Sequence, residues 1–287
     1  MSNFSHNLSG YSPTGLVADK DFQLDANPML PIQRRQRIAS FLQQHGAVSL
    51  QQLTEALHVS MSTLRRDLDQ LAEEGLIERT HGGAVLRTLQ YSTFEPVFSA
   101  ARNLSPRQKA LIGEAAAASL QPEQTVIFES GSTVLEAARA AVGRQIPLQA
   151  ITNNIEIAQV LNTSPLIRVH VFGGQLRQNS STLVGDSVQS AARNIRADVL
   201  FFGAHAVTEN VVSETAPEVV AVKQALLRAA NVRCLLVDSS KFRPRVFMSV
   251  CELPDIEEII TDDGIPPEEI EHIRGAGVRL TIVPNVS

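Results

Sequence analysis

The sequence predicts an α/β protein in two parts: an N-terminal winged helix-turn-helix, then a Rossmann-like domain on a parallel sheet. Two observations lead there. Residues 32–88 read as short amphipathic helices with tight connections and a hairpin signal behind them, and residues 105–287 alternate short apolar strands with helices. The size fits, since 287 residues, 44% of them hydrophobic and 19% charged, suffice for two domains that each bury a core.

Residues 1–31 are polar and aperiodic and contain Pro13, Pro28 and Pro31, so a disordered tail is expected there. In 32–88, Ile38, Phe41 and Leu42 give a first helix its inner face, and Gly46 ends it. Ser49 can cap a second helix with Leu50, Leu53 and Leu57 inside, and His58-Val59 makes a tight connection. Ser60 is a good N-cap for a third helix, whose Leu64, Leu68 and Leu71 recur at helical spacing. Leu76-Ile77 then starts a strand and Gly82-Gly83 permits a turn, giving a wing.

Ser62, Thr63, Arg65 and Arg66 lie off the apolar stripe of that third helix. An exposed helical start carrying hydroxyls and two arginines suits the major groove, because arginine forks onto guanine and hydroxyls reach base edges or phosphates. With Ser60, and with Arg79 and His81 on the hairpin, these residues form a candidate double-stranded DNA surface. The alternative is a three-helix packing module that binds protein. Net charge is −5, but residues 32–88 carry seven basic and six acidic side chains and are the only positive segment. So weak a field does not drive tight binding; local arginines and a dimer must.

Residues 89–104 read as a linker. Ser105-Pro106-Arg107-Gln108 predicts a helix start, with Ser105 capping, Pro106 in the first turn and Gln108 completing a capping box. Strands are then expected at 125–128, 148–152, 167–172, 199–202, 234–237, 259–261 and 279–283, and helices around 134–142, 155–161, 187–195, 217–230 and 267–275. This alternation implies a parallel sheet covered on both faces.

Several classes are set aside. No apolar run is long enough to span a bilayer, and the N-terminus lacks a signal-peptide pattern, so a cytoplasmic location is expected. Cys234 and Cys251 are too few for a disulfide framework or a zinc site, the histidines form no metal-ligand spacing, and no G-x-S-x-G elbow appears. No metal and no cofactor are called for.

Ligands of such sheets bind at the carboxyl ends of the strands. There, Glu129-Ser130-Gly131-Ser132-Thr133 joins a strand to a helix, offering hydroxyls and free N–H groups to an anion such as phosphate. Ordinary helix capping is the competing reading. Asn153 and Asn154 offer amides to sugar hydroxyls, Gly173 and Gly174 allow close backbone approach, and Asp238 and Lys241 supply a carboxylate and an ammonium.

Residues 36–86 closely resemble the DeoR-type helix-turn-helix of bacterial transcription regulators, through Val59-Ser60, Thr63-Leu64-Arg65-Arg66-Asp67-Leu68, Gly75-Leu76-Ile77, Arg79 and His81-Gly82-Gly83-Ala84. Residues 94–284 resemble the sensor domain of the same family, which is similar to pentose-phosphate isomerases and sugar-phosphate deaminases. The landmarks are Glu129 to Thr133, Thr152-Asn153-Asn154, Gly173-Gly174 with Leu176-Arg177, Leu183-Val184-Gly185, Ala221-Val222-Lys223, Asp238 to Phe242 and Thr261-Asp262-Asp263. The resemblance implies a repressor of sugar-catabolism genes with a phosphorylated sugar as effector. Two positions depart from the family: Glu129 and His205 stand where aspartate is usual. One recognition helix and one wing cover a half-site, so a homodimer or homotetramer is expected. The rival reading is a sugar-phosphate isomerase or deaminase fused to a DNA-binding module.

Overall fold

The computed structural model of the protein describes residues 29–45, 47–80, 82–86, 104–178 and 180–285. The expected tail up to residue 28, Gly46, His81 and the expected linker up to residue 103 lie outside the described residues.

Helices α1 (Pro31–His45), α2 (Leu50–Leu57) and α3 (Met61–Glu73) pack around Ile38, Leu42, Leu53, Leu64, Leu68 and Leu71. Ser49 opens α2 with a full capping box: its hydroxyl accepts the Gln52 N–H while the Gln52 side chain accepts the Ser49 N–H. His58 ends α2 in the left-handed region at φ 52°, and Ser60 caps α3 by accepting the Thr63 N–H. The wing strands β2 (Ile77–Thr80) and β3 (Gly83–Leu86) pair as expected. A third strand, β1 (Ala47–Ser49), was not expected; three residues are too few to show alternation. It runs antiparallel to β3 and so close that a Cβ on Gly83 would lie 2.0 Å from the Val48 carbonyl oxygen, so only glycine fits there. Leu104, assigned to the linker, packs against this core.

In the second group of elements, α4 (Pro106–Ala118) leads into β4 (Thr125–Phe128), α5 (Ser132–Gly143), β5 (Leu148–Thr152), α6 (Ile155–Leu161) and β6 (Ile167–Val171). A hairpin, β7 (Gln175–Leu176) and β8 (Leu183–Val184), precedes α7 (Asp186–Arg193) and β9 (Ala197–Phe202). Then follow β10 (Ala206–Thr208), β11 (Val211–Glu214), α8 (Pro217–Ala229), β12 (Ala230–Leu236), β13 (Met248–Glu252), β14 (Glu258–Asp262), α9 (Pro267–Gly275) and β15 (Arg279–Val283). Seven parallel strands form one sheet in the order β15-β14-β12-β9-β4-β5-β6, and β10, β11 and β13 make a small antiparallel sheet.

Strand alternation sends Val126, Phe128, Val199 and Phe201 to the face covered by α4, α5 and α6, and Ile127, Leu200 and Phe202 to the face covered by α7, α8 and α9. Phe128 and Phe201 meet edge to face, with centroids 5.7 Å apart. Burial on both faces is why these strands read as continuous apolar runs. One expected detail fails. Ser105 precedes α4 in the left-handed region at φ 50° and makes no side-chain cap, so the capping box with Gln108 does not form; Pro106 does occupy the first turn. In that conformation the Ser105 hydroxyl does not reach the N–H groups that a cap in the extended region serves.

Candidate functional site

On the helical part, Arg65 and Arg66 stand exposed on α3, as does Ser62, while Thr63 is half-buried. Ser60 Oγ lies 3.0 Å from Ser62 Oγ and 2.9 Å from Thr63 Oγ1, so the hydroxyls gather at the start of the helix. Arg79, expected on the DNA surface, is engaged within the protein. Its Nη1 donates to the Asp69 carboxylate and, at 3.3 Å, to the Arg65 carbonyl. Asp67, within the Arg65-Arg66-Asp67 run, is buried and takes a forked contact from Arg34 of α1: Nε forms the shorter arm and Nη2 lies 3.1 Å from Oδ1. This pair fixes α3 against α1. The sequence signal was a carboxylate on the inner side of an amphipathic helix, which needs a cation.

In the sheet, the predicted loops meet where expected, because β5, β4, β9 and β12 are consecutive neighbours and all end at one edge. Gly131 precedes α5 at φ +147°, a conformation side chains rarely adopt, and offers no side-chain cap. The first-turn N–H groups of α5 therefore have no side-chain acceptor in this loop, beside half-buried Ser132 and buried Ser130 and Thr133. From β12, Asp238 begins a 3-10 turn (Ser239–Lys241) by accepting the Ser240 N–H at 3.2 Å, and its carboxylate also takes the Ser240 hydroxyl. Asp262, at the end of β14, accepts the Ser239 N–H at 2.6 Å and the Ser239 hydroxyl at 2.8 Å. The turn that carries half-buried Lys241 is thus held from two strands.

Beneath the edge lies a buried ionic triad. Lys223 Nζ from α8 sits 3.2 Å from Glu129 Oε2 and 3.1 Å from Glu214 Oε1, and donates to the Gly203 carbonyl at 2.6 Å. Glu129 also accepts the Ser130 hydroxyl at 2.8 Å and the Gly203 N–H at 3.3 Å. Burial raises the Glu129 pKa, with Lys223 and Ser130 opposing it. For Lys223, burial opposes the charge but the two carboxylates outweigh it, so its pKa lies above the ordinary lysine value and the ammonium stays charged.

Cations crowd the carboxyl edge. Burial, with the neighbouring Arg243 guanidinium, pulls Lys241 down to about 8. Lys109, in the first turns of α4, is also pulled down by burial, and Asp238 partly restores it. Burial would raise Asp238, but Lys109, Lys241 and Ser240 outweigh it and keep the carboxylate ionised. His205 is buried after β9; burial and the charges of Arg243, Lys241 and Lys223 take it to about 3, leaving a neutral ring. Arg243 donates twice to the His205 carbonyl, at 3.2 and 2.9 Å.

The remaining candidates divide. Asn153 is buried; its Nδ2 donates to the Leu183 carbonyl at 3.1 Å, and its Oδ1 has no partner among the described residues. Asn154 caps α6, its Oδ1 accepting the Glu156 and Ile157 N–H groups at 3.0 and 3.1 Å. Gly173 and Gly174 lie exposed between β6 and β7, and the Ser187 hydroxyl donates to the Gly173 carbonyl. Glu129 is at the edge but faces inward, with its carboxylate engaged by the triad. Sequence reasoning missed Lys109, Glu214 and Arg243. Arg243 follows Lys241 by two residues and was within reach, whereas Glu214 sits on a strand that was not expected.

Comparison with known proteins agrees with both parts. The family described as DeoR-like helix-turn-helix domain matches residues 34–90, and the one described as DeoR C terminal sensor domain matches 105–263. The chain is 30% identical over 252 residues to a putative aga operon transcriptional repressor of Escherichia coli O157:H7, covering 88% of this chain and 93% of that one. It is 32% identical over 268 residues to the transcriptional regulator GlpR of Haloferax volcanii (90% and 100% covered), and 30% identical over 239 residues to the lactose phosphotransferase system repressor of Lactococcus lactis (83% and 93%). Among solved structures, a ribose 5-phosphate isomerase from Methanocaldococcus jannaschii aligns over 47% of this chain and 53% of its own, at 16% identity and TM-score 0.36, a likeness too slight to carry an argument. The chain belongs to the DeoR family of DNA-binding transcriptional regulators, a winged helix-turn-helix followed by an α/β sensor domain.

Proposed function

We propose that the protein represses sugar-catabolism genes and is released from, or held on, its operator by a phosphorylated sugar bound at the carboxyl edge of the sheet. The observation that carries the effector site is that the uncapped start of α5 and the cations Lys241 and Arg243 lie at the same edge of the sheet. An N-terminal helix turn and an ammonium are complementary to a phosphate, and Ser130, Gly131, Ser132 and Thr133 with Lys241 and Asp238 are its proposed surroundings. Asn153, Asn154, Glu129, Gly173 and Gly174 shape the same edge. On the DNA side the proposed contacts are Ser60, Ser62, Thr63, Arg65 and Arg66, with Arg79 and His81 on the wing. The proposed working unit is a homodimer or homotetramer in the cytoplasm, with the winged helix at 32–88, a linker at 89–104 and the sensor from 105.

The sensor binds without converting. Isomerisation requires a base free to take a carbon-bound proton. Glu129 and Glu214 are tied to Lys223, Asp238 to Ser240, and the buried His205 ring, with its pKa lowered to about 3, is a weak base. A thermal-shift screen of sugar phosphates against wild type and Lys241→Ala tests the site. Stabilisation of the wild type alone supports it, and equal stabilisation of both removes Lys241 from it.

A further inference from the structure

The ion pair between Arg79 and Asp69 lies at the surface, with side chains 30% and 62% exposed. Asp69 follows Arg65 by four residues on α3, so the two share a helical face. The same Arg79 Nη1 that meets Asp69 also reaches the Arg65 carbonyl. A carboxylate therefore stands beside an exposed arginine of α3 and detains a second arginine from the wing. An exposed pair of this kind adds little to folding stability. Its consequence falls on association with a polyanion, where each cation that reaches a phosphate releases counterions and each carboxylate opposes approach.

We propose that Asp69 is a selectivity residue for DNA binding. It keeps the Arg79 guanidinium off the backbone of arbitrary duplexes and repels their phosphates. Only a sequence whose base edges hold α3 in the groove draws Arg79 away from it. The proposal rests on the reading of α3 as the recognition helix. Selectivity is a difference of affinities, and penalising the wrong duplex raises it with no new contact to the right one.

The test uses the full-length protein, a short random-sequence duplex and a duplex enriched from a random pool by the wild type, read by fluorescence anisotropy across a salt series. Asp69→Asn frees Arg79. Affinity for the random duplex should rise severalfold, the slope of log K against log salt should steepen by about 0.9 for one added phosphate contact, and the ratio of enriched to random affinity should fall. In Asp69→Asn with Arg79→Ala the slope should return to the wild-type value. Glu73→Gln removes a charge from the same exposed helix without freeing Arg79 and should leave the slope unchanged. Random-duplex affinity and slope both unchanged in Asp69→Asn, or a slope that steepens equally in Glu73→Gln, would overturn the proposal. A wild type that enriches no duplex would instead overturn the DNA-binding reading beneath it.

Discussion

Replacing Lys223 with methionine should unfold the sensor part more readily than almost any other single change. The ammonium is 3% exposed and lies within 3.2 Å of two carboxylate oxygens and 2.6 Å of a carbonyl oxygen. Methionine fills similar volume, so the loss is electrostatic. It strands Glu129 and Glu214 as two buried carboxylates with no cation between them. Breaking a buried pair from one side costs about 3–5 kcal/mol. At roughly 2–4 °C per kcal/mol for a domain of this size, the melting temperature should fall by about 6–20 °C. The folded pKa of Lys223 is raised, so in the wild type its contribution is present below the ordinary lysine value and is lost only as pH rises through the raised one. The variant has no lysine to titrate and keeps Glu129, which burial already raises. Its deficit should be largest near pH 8 and should shrink toward pH 5 as a carboxylate takes up a proton. Adding Glu129→Gln and Glu214→Gln removes the stranded charges and should recover much of the loss. Calorimetry of the full chain at both pH values is the assay. A loss below about 1 kcal/mol with no pH dependence would refute the triad as a buried ionic unit.

Further outcomes follow from the same geometry. Arg65→Ala and Arg66→Ala should each weaken DNA binding; whichever arginine reads a base should cost about 1–3 kcal/mol on the operator and relax sequence preference. Effector affinity should decline as pH rises through about 8, where Lys241 loses its proton, and binding above that pH should take up a proton. Titration calorimetry in two buffers of different ionisation enthalpy measures that uptake, and affinity flat between pH 7 and 9 counts against Lys241. Asp67→Asn should cost the winged helix about 1.5–3 kcal/mol through the charged hydrogen bonds from Arg34, read as a lower melting temperature. Incubation with the tightest-binding sugar phosphate, followed by NMR, should show no product; steady turnover abolished in His205→Ala would make the protein an enzyme.

Much of this was legible because periodicity survives in the sequence. Strands 125–128, 148–152 and 279–283 and helices 155–161 and 267–275 match the structure end to end, and all but the first have proline or a capping residue directly at one boundary. What escaped was short or non-local. Strands β1, β7, β8, β10 and β11 have two to four residues, too few for a period to show, and the five-residue β13, antiparallel to β11 outside the main sheet, also escaped. At the site, strand-end loops could be read but not where their atoms were committed. Glu129 looked like a ligand contact until Lys223, 94 positions away, claimed its carboxylate. Asn154 looked like a sugar contact and caps α6. Arg79 looked like a DNA contact on the hairpin and is held by Asp69. Such pairings depend on the fold that brings distant side chains together.

A regulator of this kind must couple the proposed phosphate site at the sheet edge to the DNA held by α3. Coupling of two sites is reciprocal, so effector must change DNA affinity by the factor by which DNA changes effector affinity. The direct measurement is anisotropy of the enriched duplex with full-length wild type and Lys241→Ala, each titrated with the sugar phosphate that stabilises the wild type. The expected result is a DNA affinity that shifts at least about fivefold with effector in the wild type and stays fixed in the variant, with equal affinities when effector is absent. Wild-type DNA affinity unmoved by a ligand that measurably binds would contradict it.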